Sequence, residues 1–239
     1  MREIEKKIND CKSCSFIKQC VPSAFGEKDL YRFSKIVKTN EEYAPNTDLY
    51  QQGGQTQYLY IVKSGGVKTH SSKVTGGNHV HEFFLPGELI GLESMAGGVA
   101  LSTATATEAS VVCRINYLQL AVLRKEFPLL SDLAVKVYGQ ALASSQLMLT
   151  CVSNPSAASR VACFIIMIMG RSASIKGGSN DVYLKMSRTD IANHLGLAGE
   201  TVSRAFAKLV SWGYITKNKK HIQVLDAEGL QLCASNTEF

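Results

Sequence analysis

Three cysteines, Cys11, Cys14 and Cys20, fall within ten residues in the spacing Cys-x2-Cys-x5-Cys. Thiolates are soft donors that suit iron-sulfur clusters or zinc, and either needs one ligand more than this polar segment holds. Four other cysteines could supply it: Cys113, Cys151, Cys163 and Cys233. The last three stand in helical or C-terminal apolar surroundings, where a free cysteine serves as a small buried hydrophobe. Cys113 differs, since it lies at the end of the strand-like run Ser110 to Ile115, just before the pattern turns helical. The chain begins Met-Arg-Glu-Ile-Glu-Lys-Lys, with neither an apolar core nor a cleavage site for secretion. A cytoplasmic location is therefore expected, where thiols stay reduced and clustered cysteines point to metal or redox chemistry rather than to disulfides.

His79-x-His81 resembles half of a cupin metal motif, which would make the chain a metal enzyme. Glu82 falls too close and the later histidine beyond Pro86-x-Gly87 is missing, so two same-face histidines on a strand read as solvated. Nor does the chain carry a Ser-His-Asp set, a phosphate-cradling glycine loop or a paired carboxylate site. No enzymatic activity is expected.

The elements that must position these groups follow from the pattern. With 239 residues, 45% of them apolar, the chain can bury a core and is neither disordered nor fibrous. The longest apolar run, Val161 to Met169, cannot span a bilayer. Ten glycines lie between Gly53 and Gly98 among short runs such as Tyr58 to Val62, His79 to Leu85 and Ser110 to Ile115. Short strands joined by tight turns at Gly53-Gly54, Gly65-Gly66, Gly76-Gly77 and Gly97-Gly98 predict a sandwich or small barrel.

From Leu118 glycine becomes rare and a short helix followed by a long one is expected, ending at Asn154-Pro155. On the long helix Val135, Tyr138, Leu142, Ser145, Leu149 and Val152 alternate steps of three and four, a coiled-coil seam. Leu130, Leu133, Val137 and Ala141 form a second stripe that can pack on the β-domain. A helix from about Ala157 to Arg171, a Gly-Gly-Ser-Asn turn and a compact two-helix pattern follow.

Ser187-Arg-Thr-Asp190 has the form of a capping box, so a helix begins at Arg188. It runs to Leu195, breaks at Gly196-Leu197, and gives way to a second helix from about Ala198 to Ser211. Ile191, Leu195, Leu197, Val202, Phe206 and Leu209 point inward, leaving Gly199, Glu200, Ser203 and Arg204 at the exposed front of the second helix. A helix-turn-helix places that end in the major groove, where arginine bonds guanine and glutamate accepts from cytosine. Alternatively, Glu200 and Arg204 only pair with each other across one turn. The net charge of +6 is concentrated in the C-terminal part, and Lys208, Lys217, Lys219 and Lys220 there can serve phosphates or solubility. Tyr214 to Thr216 and His221 to Val224 read as a two-stranded wing.

The stretch Met186 to Arg204 resembles the winged helix-turn-helix signature of the cyclic-AMP receptor protein and fumarate-nitrate regulator superfamily of bacterial transcription factors. The element order matches over nearly the whole chain. The resemblance implies an α+β fold: a cysteine segment over 1–24, a β-roll (a double-stranded β-helix of the cyclic-nucleotide-binding kind) over 25–117, a dimerisation helix region over 118–154 and a DNA-binding winged helix-turn-helix over 155–239.

In the fumarate-nitrate branch, Glu, Ser and Arg of Glu-Thr-Val-Ser-Arg read a TTGAT half-site, which by likeness assigns Glu200, Ser203 and Arg204. The N-terminal cysteine spacing and the 93-residue separation from Cys20 to Cys113 resemble that branch's ligand set. They imply one four-iron, four-sulfur (4Fe-4S) cluster per subunit on Cys11, Cys14, Cys20 and Cys113, with structural zinc as the alternative.

The implied protein is a cytoplasmic homodimer that binds double-stranded palindromic DNA when its cluster forms without oxygen. It would contact RNA polymerase, for instance through the loop Ser71 to Asn78, and would be independent of any membrane. The superfamily's cyclic-nucleotide binders carry Glu and Arg where this chain has Leu92 and Ser102, so no cyclic nucleotide is expected. At the seam the relative's repelling aspartate is replaced by Ser145, which implies a dimer less dependent on its cluster.

Overall fold

The computed structural model describes residues 2–17, 20–26, 29–72, 78–176 and 180–235, without the side chains of 2 and 173–176. The Gly76-Gly77 turn, the interior of the Ser71 to Asn78 loop and most of the Gly-Gly-Ser-Asn turn lie outside the described residues. The chain divides into two compact units, one of residues 1–71 with 83–141 and the other of 72–82 with 142–239. The helix break at Asn154-Pro155 and this division are therefore different boundaries, the second falling inside the long helix.

The first unit opens with α1 (Arg2–Lys12) and α2 (Leu30–Ser34). Its strands are β1 (Val37–Tyr43), β2 (Asp48–Tyr50), β3 (Tyr58–Ser64), β4 (Val67–Ser72), β5 (Asn78–Phe84, only partly in this unit), β6 (Leu89–Ile90), β7 (Thr103–Ala106) and β8 (Ser110–Asn116). They form the expected β-roll: one antiparallel sheet runs β1-β8-β3-β6, and β2, β7 and β4 are neighbours in another. Among the described residues three of the expected glycine pairs supply a positive-φ turn position, with Gly53, Gly65 and Gly98 at φ of 78°, 81° and 70°. On β8 Val112 and Ile115 stand an odd number of residues apart and so face opposite sides of the sheet, and each is completely buried in a different core cluster.

The N-terminal segment departs from the sequence reading, because it forms a helix. Ile4, Ile8 and Cys11 recur at helical spacing, and Ile8 and Cys11 pack against the core of Phe25, Phe33, Ile61, Ile115 and Leu130. That periodicity was legible and explains the position of Cys11.

After β8 come α3 (Tyr117–Leu123), capped by Asn116 Oδ1 accepting from Gln119 N at 3.0 Å, and the long α4 (Pro128–Ser153). Proline at the first helical position suits an orphan amide. Leu130 is buried and Leu133 packs on the same core. The other stripe stays bare: Val135, Leu142 and Leu149 are 73%, 63% and 68% exposed.

In the second unit α5 (Ala157–Lys176) runs one turn beyond Arg171, followed by β9 (Asp181–Tyr183), α6 (Arg188–Leu195), α7 (Gly199–Ser211), β10 (Ile215–Asn218), β11 (His221–Val224) and α8 (Ala227–Ser235). The wing has three strands in the order β10-β11-β9 rather than two, because Val182 alternates into the core between exposed Asp181 and Tyr183. Phe164, Ile165, Ile168, Ile191, Leu195, Phe206 and Leu209 fill the centre. Among the described residues, no helix is long and apolar enough to cross a membrane.

Candidate functional site

The helix-turn-helix is built from its caps inward. Ser187 Oγ accepts from Asp190 N at 3.0 Å while Asp190 Oδ2 accepts from Ser187 N at 3.4 Å, which closes the capping box and starts α6. Gly196 ends it at φ 64° and donates to Ala192 O, a conformation glycine adopts without strain. The chain then turns into α7, whose inward face buries Val202, Ala205, Phe206 and Leu209. Leu197, expected inside, is half-buried at the turn.

On the outward face Gly199, Glu200, Ser203 and Arg204 are exposed. Arg204 Nη2 lies 2.9 Å from Glu200 Oε1, and Ser203 Oγ donates to Gly199 O at 3.0 Å. In the free protein these side chains therefore satisfy one another, in a pair too exposed to resist exchange for a base. Behind them Arg188 stacks on the Phe206 ring, 3.5 Å from its centroid, with burial lowering its pKa. Lys217 lies 5.7 Å from the same ring centroid, and Lys219 takes φ 53° in the wing turn. The free amides at the start of α7 add a partial positive charge to this face.

The cysteine site sits in the first unit. Cys11 lies in the last turn of α1, and beyond it Cys14 N donates to Cys11 O at 3.1 Å, Ile17 N to Cys14 O at 3.1 Å and Cys20 N to Ile17 O at 3.4 Å. Phe16 fastens this segment over Gly87, where a Cβ would come within 2.9 Å of the ring. Cys113 approaches from β8. All four thiols lie within electrostatic reach of one another. Burial is the first cause that pushes the Cys11 thiol up to about 11, with Cys113 and Cys14 adding to it. Burial likewise raises Cys20 and Cys113.

A polar lattice that the sequence did not betray holds the two halves of this site together. A bulge in β1 puts Asn40 at φ 56°, where its backbone N–H donates to the Cys113 sulfur. Asp10 Oδ2 accepts from Asn40 Nδ2 at 2.8 Å and Thr39 Oγ1 at 2.9 Å, and Lys63 Nζ donates to Asn40 Oδ1 at 2.7 Å. Asp10, the residue beside Cys11, is thus tied to the strand that pairs with the one carrying Cys113. Among the described residues, no group of three or more His, Cys, Asp or Glu side chains closes on a single-ion site. A cubane cluster is a larger body than one ion, and four thiols within electrostatic reach of one another, two of them with a backbone N–H to sulfur, fit that group.

The remaining sites are simpler. His79 and His81 pack edge to face with centroids 5.2 Å apart on β5. Ser102, at the position of a nucleotide-binding arginine, is buried and donates to Glu93 Oε1 at 3.0 Å, as does Tyr50 Oη. Of the seam residues, Val135, Tyr138, Leu142, Ser145 and Leu149 are exposed and Val152 is half-buried.

Comparisons with known proteins agree with this layout. A Crp-like helix-turn-helix domain model matches residues 159–233, and a cyclic nucleotide-binding domain model matches 40–126. The transcriptional activator protein Anr of Pseudomonas protegens is 33% identical over 94% of this chain and 91% of its own. The fumarate and nitrate reduction regulatory protein of Salmonella typhi is 28% identical over 95% of this chain and 91% of its own. Among solved structures, FixK2 from Bradyrhizobium japonicum superposes with a TM-score of 0.75 at 25% identity, covering 83% of this chain and 98% of that one. A β-roll, a long helix and a winged reader are thus matched along nearly the whole length by transcription regulators rather than enzymes, and the chain belongs to the fumarate-nitrate regulator branch of the cyclic-AMP receptor protein and fumarate-nitrate regulator superfamily.

Proposed function

We propose that this DNA-binding regulator is a cytoplasmic, homodimeric oxygen sensor of anaerobic metabolism that holds one 4Fe-4S cluster per subunit on Cys11, Cys14, Cys20 and Cys113. The observation that carries the reading is the meeting of those four thiols, drawn from α1, the coil after it and β8, in one half-buried site. Bound there, the cluster supplies oxygen-labile iron-sulfur chemistry. The residues do the rest. Asn40 and Val21 donate backbone N–H groups to the sulfurs of Cys113 and Cys20, Lys63 lends positive charge, and the shared core passes changes in packing to α4.

The largely exposed stripe of Val135, Tyr138, Leu142, Ser145, Leu149 and Val152 pairs with its copy. Two α7 helices then enter successive major grooves, and Glu200, Ser203 and Arg204 read TTGAT half-sites one helical turn apart. Contact with RNA polymerase belongs to the same reading, through surface loops.

The test is an absorption spectrum with iron and sulfide analysis on protein purified without oxygen, before and after air. About four irons per subunit that bleach in air support the reading. A colourless protein that carries zinc and resists cluster reconstitution overturns the oxygen sensor and leaves the DNA reader standing. Cys113→Ser should lose the iron while retaining its secondary structure by circular dichroism.

A further inference from the structure

Two of the cysteines expected to be inert hydrophobes are not placed independently. Cys151, in the last turn of α4, has no exposed surface, and Cys163 lies half-buried on the second turn of α5. Cys151 Sγ sits 3.5 Å from Arg160 O, and its thiol shares a hydrogen bond with that of Cys163. Both residues belong to the same compact unit. The three residues between the helices, Asn154 to Ser156, join α4 to α5, and Cys151 at the end of one lies against Arg160 at the start of the other, three residues before Cys163.

This junction is wired to the DNA reader. Arg160 Nε donates to Asn154 O at 2.6 Å, and Arg160 Nη1 donates to Leu195 O at 3.2 Å, at the turn of the helix-turn-helix. Asn154 Nδ2 donates to Ala234 O in α8 at 3.0 Å. A change in the position of the Arg160 backbone is therefore felt by both α6 and α8.

We infer that Cys151 and Cys163 form a reversible dithiol-disulfide site, oxidised by exchange with a low-molecular-weight disulfide such as oxidised glutathione, which gives the reader a redox input separate from the N-terminal cysteines. The half-exposed Cys163 is the attacking thiolate: its sulfur bonds one sulfur of the oxidant and expels the other as a thiolate. Cys151 then gives up its proton and attacks the Cys163 sulfur, releasing the second small thiol. Two protein thiols and one small disulfide become one protein disulfide and two small thiols. The hydrogen bond from Cys151 lowers the Cys163 pKa, as an attacking thiol requires, while the same bond and burial raise that of Cys151. An S–S bond is far shorter than a thiol hydrogen bond, so oxidation draws Cys151 and the first turns of α5 together and strains the Arg160 contacts. Only the consequence for DNA rests on the proposed reading; the thiol chemistry does not.

The experiment uses the full chain purified without oxygen, treated with oxidised glutathione while iron content is followed. Trypsin cuts after Arg160, between the two cysteines, so the expected disulfide joins peptides 137–160 and 161–171 and disappears on reduction. Cys151→Ser should instead accumulate the glutathione adduct on Cys163, and Cys163→Ser should leave Cys151 unmodified. In a DNA-shift assay the oxidised wild type should bind several-fold more weakly, and the Cys151→Ser protein treated alike should not. Free thiols at both positions after treatment, a glutathione adduct on wild-type Cys163 with Cys151 still reduced, or a disulfide that leaves DNA affinity unchanged would each overturn the inference. Loss of iron without this cross-link would concern the N-terminal site instead.

Discussion

Arg204→Ala separates base reading from salt bridging on α7. In the free protein Arg204 pairs with Glu200 at 2.9 Å, with the two side chains 72% and 79% exposed. An i, i+4 pair so exposed contributes only about 0.3–0.5 kcal/mol, so folding stability should change by no more than that. Bidentate recognition of a guanine is worth about 1–3 kcal/mol of discrimination, which converts to roughly 5- to 150-fold in affinity per half-site. A palindrome engages two copies, so the loss doubles to about 2–6 kcal/mol.

Fluorescence anisotropy should follow the variant and wild type on the TTGAT palindrome, on the same duplex with its guanines exchanged, and on a scrambled sequence. The wild type should lose affinity when the guanine is replaced; the variant should be indifferent. Lys219→Ala in the wing turn is the control, since a phosphate contact weakens all three duplexes alike and flattens the salt dependence. If Arg204→Ala weakens all three duplexes by one common factor, or binds the palindrome as tightly as wild type does, Arg204 is not a base reader and the argument from its exposure fails.

Three further outcomes are expected. Ser187→Ala removes the acceptor for Asp190 N and should cost about 1 kcal/mol in urea unfolding, while an Asp190→Asn variant that keeps the Ser187 cap should lose less. His194 is 3% exposed, donates from Nδ1 to Val80 O at 3.1 Å, and is pushed down to about 4 by burial, with Arg171, His79 and His81 opposing its charge as well. Its neutral form is favoured on folding, so stability is complete above the unfolded value near 6.5 and falls by up to about 3 kcal/mol as pH drops through 4; His194→Gln should flatten unfolding free energies over that range, and an unchanged slope would show the group is not responsible. Ser145→Asp puts like charges at the proposed seam and should shift the iron-free protein towards monomer in equilibrium sedimentation, whereas a wild-type iron-free protein already wholly monomeric at micromolar concentration would refute the proposed lesser dependence of the dimer on its cluster.

How much of this was legible can be argued residue by residue. The helix-turn-helix was readable because its signals are local: a Ser187/Asp190 cap, a Gly196 stop and an apolar stripe all act within one or two turns. Its bounds came out within a residue. The wing was read short by a strand because β9 is three residues long and only Val182 marks its buried face. Cys11, Cys14, Cys20 and Cys113 could be named from type and spacing, but the lattice of Asp10, Thr39, Asn40 and Lys63 could not. It depends on a bulge in β1 that brings together residues 23, 29 and 30 positions apart in the chain. The same limit hid the Cys151 and Cys163 pair, whose chemistry comes from the junction between two helices and not from a motif.

The route from the proposed sensor to the proposed seam is a matter of shared packing in the first unit. Cys11, Cys20 and Cys113 lie against the same core that buries Leu130 and seats Leu133. Five residues after Cys20, Phe25 meets Phe127 edge to face with centroids 4.8 Å apart, and Phe127 directly precedes Pro128, where α4 begins. Glu126 is gripped by both Nη atoms of Arg32 from α2, the second at 2.7 Å. Close-packed interiors do not absorb a change in volume locally, so a rearrangement around the thiols has to be taken up by Phe25, Phe127 and the first turn of α4. The first seam residue, Val135, stands only two positions beyond Leu133 on the opposite stripe. An α4 whose root is fixed by that core presents its stripe in one orientation, and one whose root is loosened does not. On this arrangement the cysteine site needs no contact with the seam to control pairing: it acts on the two turns of helix that both of them share.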